Sequence, residues 1–345
     1  MENRKNFLKN LIKECKLDGI LIYSSWNDAG CGLAFTGIIP IFFNYYFISK
    51  DSEVFLELDY LIEDLKNKTN VNVLPLKEDL PGESLKDLLK RCKKVGIIGN
   101  APWRHFENLK IELVDLNDEV NNFVNVKDKK EIDKIKKVAQ ETLSCLKLLR
   151  NFIVPGKTRK DIADFLKLKL LEKGDALAFP TCVTSGEKIK ETTASFPTDK
   201  KILKRDIVVV DAGLVKDGFY SDCTRMYFLN FPEAELNYNK LVKAHLKVIS
   251  KVKPGIFVKD VLKFYNEELK KEGLPYETLE KEDLGHSIGF MLHEIPLLCQ
   301  EKYLDFKLKD DMIITLEPEI VFDYYRLRVE DMILVKDKSE ILTGA

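Results

Sequence analysis

Two apolar strands in the second half of the chain each end in a carboxylate, and a tight turn and a second carboxylate follow each of them. Residues 207–211 form the first strand, which ends at Asp211; Asp217-Gly218, a strong hairpin signal, and Asp222 come next. A turn centred on 216/217 would place Asp211 and Asp222 directly opposite each other, and one centred on 217/218 would make them diagonal neighbours. Because side chains alternate with period two, either register puts both carboxylates on one face.

The same arrangement recurs near the C-terminus. Glu317 ends an apolar strand before Pro318, and Glu330 follows beyond a predicted turn near Asp323-Tyr324. Their odd spacing keeps both carboxylates on one face of a tight hairpin. Carboxylates this close repel and raise each other's pKa unless a cation lies between them. The pattern therefore predicts a cation site, the alternative being exposed aspartates in the first hairpin and a polar edge in the second.

Two of the four histidines lie in one segment, DLGHSIGFMLHEIPLL. Gly285, Gly289 and Pro296 flank His286 and His293, so we expect the two histidines on strands and turns and not on a helix of the HExxH type. Neutral imidazole is both a metal ligand and an acid or base, which makes the two histidines candidate site residues. His105 and His245 have ordinary structural interpretations, the latter on a solvated helix.

Composition excludes several classes of protein. A formal net charge of -1 with 32% charged residues provides no clustered positive surface, so nucleic acid is not an expected partner. The seven cysteines are scattered without a CxxC pair, which favours a reducing cytoplasm over a disulfide framework. The start of the chain lacks the apolar core of a signal peptide. The uncharged stretch 29–49 contains helix-breaking glycines and a proline, so we interpret it as strand, turn and strand, and expect no membrane span.

The order of predicted elements indicates two α/β domains. Short apolar strands alternate with helical patterns in the first part, as in a sheet covered by helices, and no phosphate-binding glycine motif follows them. After Val126 an amphipathic helix begins, with Ile132, Ile135 and Val138 at helical spacing. A second helix is predicted from Thr158, a residue suited to an N-cap. We place the domain boundary between residues 125 and 126.

Four blocks of the sequence resemble, in order, the active-site blocks of the pita-bread metallopeptidases, the family of creatinase, prolidases and methionine aminopeptidases. The blocks are VVVDAGLVKDGFYSDCTRMYF, GHSIGFMLHEIP, TLEPEIVF and RLRVEDMILV. The resemblance is closest to the Xaa-Pro dipeptidases. It implies an α/β fold of the α+β type, with a small creatinase-like N-terminal α/β domain (1–125). The larger pita-bread catalytic domain (126–345) would have a curved antiparallel sheet covered by helices.

The resemblance implies two divalent metal ions and no other cofactor. Asp211 would chelate one metal, Asp222 and Glu330 would bridge both, and His286 and Glu317 would complete the second. Oxygen-rich ligation with one imidazole favours manganese, cobalt or iron over zinc.

The resemblance also implies a mechanism. The metals would hold a bridging water as hydroxide near neutral pH. Glu317 would also shuttle protons, and His293 would donate to the carbonyl oxygen or the leaving group. Arg328 matches an arginine that supports the site in proline-specific relatives.

Two positions depart from the family pattern. A histidine expected in the loop before the first carboxylate pair is replaced by Thr193 or Ala194, and one expected four residues before His286 is replaced by Glu282. Losing a hydrogen-bond donor at such a site can lower the rate by about 10²–10³-fold. These departures concern the substrate side and leave the predicted metal ligands complete.

The predicted function is that of a metal-dependent exopeptidase that hydrolyses dipeptides or short peptides, of the Xaa-Pro dipeptidase or aminopeptidase type. One alternative is a creatinase-like member of the clan that hydrolyses another small amide. Another is a peptide- or nucleic-acid-binding module with an inactive site. By resemblance we also expect a cytoplasmic homodimer.

Overall fold

The computed structural model describes residues 2–25, 30–275, 284–298 and 300–344. The chain divides into two compact units, Met1–Val124 and Asn125–Ala345. Each unit has a hydrophobic core of its own. Within the described ranges, no helix combines the length and the apolar character needed to cross a membrane.

The first unit is a six-stranded mixed sheet with helices. Its strands are β1 (Gly19–Ser25), β2 (Phe43–Ser49), β3 (Glu53–Leu58), β4 (Asn72–Leu76), β5 (Lys94–Ile98) and β6 (Glu112–Asp115). Its helices are α1 (Glu2–Glu14), α2 (Gly30–Thr36), α3 (Ile62–Lys66), α4 (Pro81–Leu89) and α5 (Asn117–Val124). The strand order is β4-β3-β2-β1-β5-β6, with β1 antiparallel to β2 and parallel to β5. The predicted α/β organisation of this unit is confirmed.

The prediction of strand, turn and strand for residues 29–49 is wrong in its first part, because α2 occupies positions 30–36. Phe35 is fully buried in this helix. A Cβ atom on Gly32 would lie 1.5 Å from Ser24 Oγ of β1. The helix therefore packs against the strand at a distance that only glycine permits, and tertiary packing outweighs the low helix propensity of glycine.

The second unit consists of antiparallel sheets and four long helices within the described ranges. The helices are α6 (Lys129–Phe152), α7 (Arg159–Leu171), α8 (Pro232–Ile249) and α9 (Val258–Lys271). The strands that carry the first carboxylate pair belong to two sheets, formed by β7 (Ala176–Leu177), β8 (Cys182–Ser185), β9 (Asp206–Ala212), β10 (Leu214–Lys216), β11 (Phe219–Tyr220) and β12 (Cys223–Leu229).

The remaining strands of this unit surround the second carboxylate pair. They are β13 (His286–Ser287), β14 (Glu294–Leu297), β15 (Ile313–Leu316), β16 (Glu319–Val321), β17 (Arg326–Arg328), β18 (Asp331–Leu334) and β19 (Glu340–Ile341). The order in the five-stranded sheet is β14-β13-β15-β18-β19, and β16 pairs with β17. Two residues separate β15 from β16, and two separate β17 from β18.

Capping residues fix the starts of the first two helices of this unit. Asp128 precedes α6 and accepts a hydrogen bond from the backbone N–H of Glu131, whose side chain bonds back to Asp128. Thr158 and Asp161 form the same capping box at α7, so the predicted threonine N-cap is confirmed. The apolar face of α6 is buried, as its spacing predicted.

Two lysines, one just after α8 and one in α9, form ion pairs with Glu268 of α9, and these ion pairs give a pH prediction. Hydrogen bonds from Lys251 and Lys271, both 2.7 Å, hold the pKa of Glu268 at about 2, below its usual value of 4.5. Because the pKa of Glu268 is lower in the folded protein, its ionised carboxylate stabilises the fold above pH 4.5. This contribution is lost as the pH falls through about 2. Glu268→Gln is therefore expected to lower the melting temperature at neutral pH, with the difference disappearing towards pH 2.

The matched control is Glu267→Gln, since Glu267 lies 3.8 Å from Lys251 and is more exposed. Its melting temperature should follow that of the wild type at every pH. If the melting temperatures of Glu268→Gln and Glu267→Gln depended on pH in the same way, the stabilising role of the Glu268 ion pairs would be contradicted.

Candidate metal centre and active site

The register of the first hairpin places Asp211 and Asp222 diagonally across two strands. Asp211 of β9 pairs with Thr224 of β12. The turn between β10 and β11 is formed by Asp217 and Gly218, which have positive φ angles of 51° and 76°. Of the two registers the sequence allowed, the structure has the one centred on 217/218. Asp222 itself occupies the break between β11 and β12.

The second hairpin continues in one register from β15–β18 to β16–β17. Leu316 pairs with Asp331, and Glu319 pairs with Arg328. This register places the turn at Asp323-Tyr324, as predicted. Glu317 and Glu330 lie opposite each other in the breaks between the paired strands.

His286 brings a nitrogen donor to the two hairpins. It lies on β13, beside β15, and its Nε2 is 3.6 Å from Asp222 Oδ2 and 3.7 Å from Glu317 Oε1. One ligand atom each from Asp222, His286 and Glu330 lie within 4.8 Å of one another. All three residues are buried. The structure thus brings together side chains that are 108 positions apart in the sequence.

The unsatisfied oxygens of this cluster fit a cation. Asp211 Oδ1, Asp222 Oδ1 and Glu330 Oε1 are buried atoms that have no hydrogen-bond partner among the described residues. A buried anionic oxygen without a partner is costly, and a divalent cation is the group that would satisfy several of them together. The donor set is rich in oxygen and contains one imidazole, which suits a hard or borderline divalent metal.

The pKa values of the clustered carboxyls are raised by burial and, for Asp222 and Glu330, by the neighbouring negative charges. Burial raises the pKa of Asp222 well above its usual value, and the charges of Asp211 and Glu317 raise it further. Burial also raises the pKa of Glu330, with Asp222 as the next cause. For Asp211, burial raises the pKa while the Arg328 guanidinium opposes it. These carboxyls become anionic together only when positive charge compensates them.

The comparison with protein families assigns the chain to a known class. A family model described as metallopeptidase family M24 matches residues 133–337, a range that contains all five predicted metal ligands. The chain belongs to metallopeptidase family M24. The predicted family and hydrolase class are therefore confirmed.

Relatives of this M24 chain extend over nearly its whole length. The Xaa-Pro dipeptidase of Pyrococcus furiosus is 26% identical over 98% of this chain and 97% of its own length. The crystal structure of the prolidase from Pyrococcus horikoshii OT3 covers 99% of this chain and 98% of its own, with 25% identity and a TM-score of 0.87. The X-Pro aminopeptidase of Thermotoga maritima has the same fold, with a TM-score of 0.84 and 23% identity over 99% of this chain and 98% of its own. The predicted two-domain pita-bread fold is confirmed.

A substrate-sized cavity opens beside the cluster of the M24 domain. Its volume is about 520 Å³. Its walls are formed by Phe179, Cys182, Asp211, Asp222, Gly285, His286, Leu292, His293, Leu297, Gln300, Glu317 and Arg328. The ring of His293 is exposed and lies 4.4 Å from that of His286, between centroids, in an edge-to-face arrangement. The cavity wall therefore holds a second imidazole next to the candidate metal ligand His286.

Arg328 lies between two glutamates at the edge of the cluster. Its Nη1 is 3.3 Å from Glu317 Oε2, and its Nε is 3.4 Å from Glu319 Oε2. Burial lowers the pKa of Arg328, but the charges of Glu317 and Glu319 raise it by more, so the guanidinium stays charged. Glu319 Oε1 also accepts a hydrogen bond from Arg326 Nη1 at 2.7 Å. Glu319 was not among the predicted site residues, although it shares its strand parity with Glu317.

Thr193, one of the two residues at the position where the family pattern has a loop histidine, is buried beside Glu319. Thr193 is 2% exposed, and its hydroxyl donates a hydrogen bond to Glu319. Ala194 follows it in the same loop and offers no polar side chain. Glu282, the other departure from the family pattern, lies outside the described residues. In this loop, therefore, Thr193 supports Glu319 and does not line the cavity.

Polar residues of β12 form hydrogen bonds with Glu330, and these residues were not predicted from the sequence. Thr224 Oγ1 donates to Glu330 Oε2 at 2.8 Å, and Arg225 Nη1 donates to the Glu330 carbonyl at 2.7 Å. Arg225 Nη2 also bonds Asp331 Oδ1 at 2.7 Å. Asp331 Oδ1 also accepts a hydrogen bond from Thr343 Oγ1 at 2.7 Å. The available signal was the charged Arg225 within the otherwise apolar strand after Asp222.

The expectation of a solvated His245 is wrong. His245 is fully buried, its Nδ1 lies 2.6 Å from the Tyr265 hydroxyl, and its Nε2 lies 3.3 Å from Asp331 Oδ2. Asp331 lies far from His245 in the sequence, so the helical periodicity of α8 alone did not predict that this histidine is buried.

Proposed function

We propose that this chain is a di-metal exopeptidase of the Xaa-Pro type, acting on dipeptides or short peptides. The observation that carries the proposal is the convergence of Asp222, His286 and Glu330 at the wall of a cavity large enough for a short peptide. The similarity to an Xaa-Pro dipeptidase over almost the whole chain supports the choice of substrate class.

Five side chains would hold the two metals. Asp211 would bind one ion, Asp222 and Glu330 would contact both, and His286 and Glu317 would bind the other. The three unsatisfied carboxylate oxygens support this assignment. Four carboxylates with one imidazole favour manganese, cobalt or iron over zinc, because hard oxygen ligands suit these ions.

The chain's own residues divide the remaining chemistry. When bound, the metals would activate a water and polarise the scissile carbonyl. Glu317 would accept and return a proton, and Arg328, 3.3 Å from it, would fix the direction of its carboxylate. His293 would donate a hydrogen bond to the carbonyl oxygen or a proton to the leaving group. Burial of Glu317 would keep bulk water away from its carboxylate.

The domain roles and cellular setting follow from the same proposal. Residues 1–125 would be a creatinase-type N-terminal domain and residues 126–345 the catalytic domain, in a cytoplasmic homodimer. Five described cysteines are free thiols, which agrees with a reducing compartment: Cys15, Cys92, Cys145, Cys182 and Cys223. Light scattering of the purified protein tests the dimer.

The direct test is a metal-supplemented screen of Xaa-Pro, Met-Xaa and non-prolyl dipeptides that share their first residue. We expect Mn²⁺ or Co²⁺ to stimulate release of proline, and chelation to remove the activity reversibly, because the site requires bound cations. The non-prolyl peptides are the control for specificity. Absence of turnover on every prolyl substrate, with each metal, would contradict the proposal.

Hydrolysis of another small amide is the second candidate. The buried hydroxyl of Thr193, which bonds Glu319 at the loop position where proline-specific relatives have histidine, favours it. A parallel screen of non-peptide amides distinguishes the two candidates, since only one substrate class should show metal-stimulated turnover.

A further inference from the structure

A buried ion pair lies behind the loop that carries His293. Lys127 Nζ is 2.6 Å from Glu294 Oε2, and both side chains are fully buried. Lys127 comes just before α6, whereas Glu294 directly follows His293 and begins β14. A buried ion pair is often no more stabilising than apolar side chains of similar size. The stability of the fold alone therefore does not account for this pair.

Glu294 uses its second oxygen to hold the loop backbone. Glu294 Oε1 accepts hydrogen bonds from the backbone N–H groups of Phe290, at 2.6 Å, and Met291, at 3.2 Å. One carboxylate thus joins the loop to Lys127. Hydrogen bonds to a charged acceptor are stronger than neutral ones, so this contact sets the loop conformation.

The segment before α6 holds the loop at further points. Lys127 Nζ donates to the Asn125 carbonyl at 3.2 Å, and Asn125 Nδ2 donates to the carbonyl of Ile295. A Cβ atom on Gly289, where φ is 154°, would lie 2.5 Å from Lys127 Cε. The loop backbone therefore passes directly over the lysine stem, and residues 125–127 contact both ends of the loop.

We propose that the Lys127–Glu294 pair positions the His293 imidazole in the substrate cavity. The inference rests on the proposed function, in which His293 donates to the reacting peptide. The pair fixes the loop of residues 289–294, and the loop holds the His293 ring 4.4 Å from that of His286. A displacement of about 1 Å in a catalytic group can lower the rate about 100-fold, so a rigid support is functional.

The first test is the kinetic effect of Glu294→Gln. Glutamine has the same size and retains an oxygen for the two backbone N–H groups, but it removes the charge that pairs with Lys127. We expect kcat to fall about 10- to 100-fold while KM and bound metal stay within about twofold of the wild type. Glu340→Gln is the matched control, because Glu340 forms an ion pair of the same 2.6 Å length with Lys136 of α6 but lines no part of the cavity. An unchanged kcat in Glu294→Gln would overturn the proposal.

A double-mutant cycle separates positioning from general damage. In a His293→Ala background, Glu294→Gln should lower kcat by less than about twofold, because the residue it positions is already gone. An equal loss of kcat in both backgrounds would overturn the proposal.

A readout without catalysis separates this inference from the proposed function. In the full-length protein loaded with diamagnetic Zn²⁺, the rings of His286 and His293 should show a nuclear Overhauser effect. Glu294→Gln should weaken it, while the signals of His105 and His245 stay unchanged as a check on folding. If the wild type shows no peptidase activity while its nuclear Overhauser effect is still stronger than that of Glu294→Gln, this result would refute the proposed function and support the positioning role of the ion pair.

If Glu294→Gln fails to fold, Glu294→Asp serves as the second variant. It retains the charge but shortens the side chain, and it should weaken the same contact by a smaller amount. A contact of wild-type strength in Glu294→Asp and in Lys127→Arg would overturn the proposal.

Discussion

Asp222→Asn is expected to lower kcat/KM by about 10³-fold or more, because it removes a carboxylate that would hold both metals under the proposed function. A factor of 10³ corresponds to about 4 kcal/mol in the transition state, within the several kcal/mol that metal ions supply. Steady-state kinetics with Mn²⁺, together with the metal content of the purified protein, measures both parts of the effect. The variant should bind fewer metal ions than the wild type.

The same substitution should raise the melting temperature when a chelator is present. Burial and the neighbouring charges raise the pKa of Asp222 above its value of 3.8 in an unfolded chain. The stability that a raised pKa contributes is fully present below 3.8 and is lost as the pH rises through the folded pKa. Chelated wild type should therefore lose stability with rising pH, and Asp222→Asn should lose less. With saturating Mn²⁺ the order should reverse, because binding stabilises the wild type.

Asp217→Asn is the matched control for both measurements. Asp217 is an exposed residue of the same hairpin, at a positive φ of 51° that asparagine also adopts. It should change neither kcat/KM nor the response to chelation. Two bound metals and more than about a tenth of wild-type activity in Asp222→Asn would contradict the assignment of Asp222 as a shared ligand.

The hairpins could be predicted from the sequence because their information is local. Asp217-Gly218 and the alternation of side chains placed Asp211 and Asp222 on one face, and the same alternation placed Glu317 and Glu330 on one face of the second hairpin. The sequence left two registers open for the first hairpin. The positive φ angles of Asp217 and Gly218 select one of them, and this choice makes the aspartates diagonal neighbours.

The contacts around the cluster could not be predicted because they join segments far apart in the chain. Arg225 reaches Glu330 and Asp331 across 105 and 106 positions, and Thr193 reaches Glu319 across 126. A single sequence contains no signal for such pairs beyond the presence of a charge in an apolar strand. His245 is an example, since its helix was expected to be solvated on this side, whereas His245 contacts Asp331 of β18, 86 positions further along the chain.

The buried arginine between Glu317 and Glu319 leads to the second large expected effect. Arg328→Met removes the positive charge from between two buried carboxylates, at 3.3 and 3.4 Å. Loss of one partner of a buried ion pair typically costs about 3–5 kcal/mol, so we expect a clear fall in the free energy of unfolding. Because Glu317 also loses the group that orients it, kcat should fall by about 10²-fold even at temperatures where the variant is fully folded.

Arg326→Met separates the two consequences, since it removes the same charge from the same strand. Arg326 Nη1 lies 2.7 Å from Glu319 Oε1, and the residues that form the cavity wall include Arg328 but not Arg326. It should therefore lower stability with little change in kcat, whereas Arg328→Met should lower both. Denaturant titration and kinetics on the same preparations measure the difference. An equal fall in kcat for both arginine variants would mean that Glu319, and not the contact with Glu317, transmits the effect to the site.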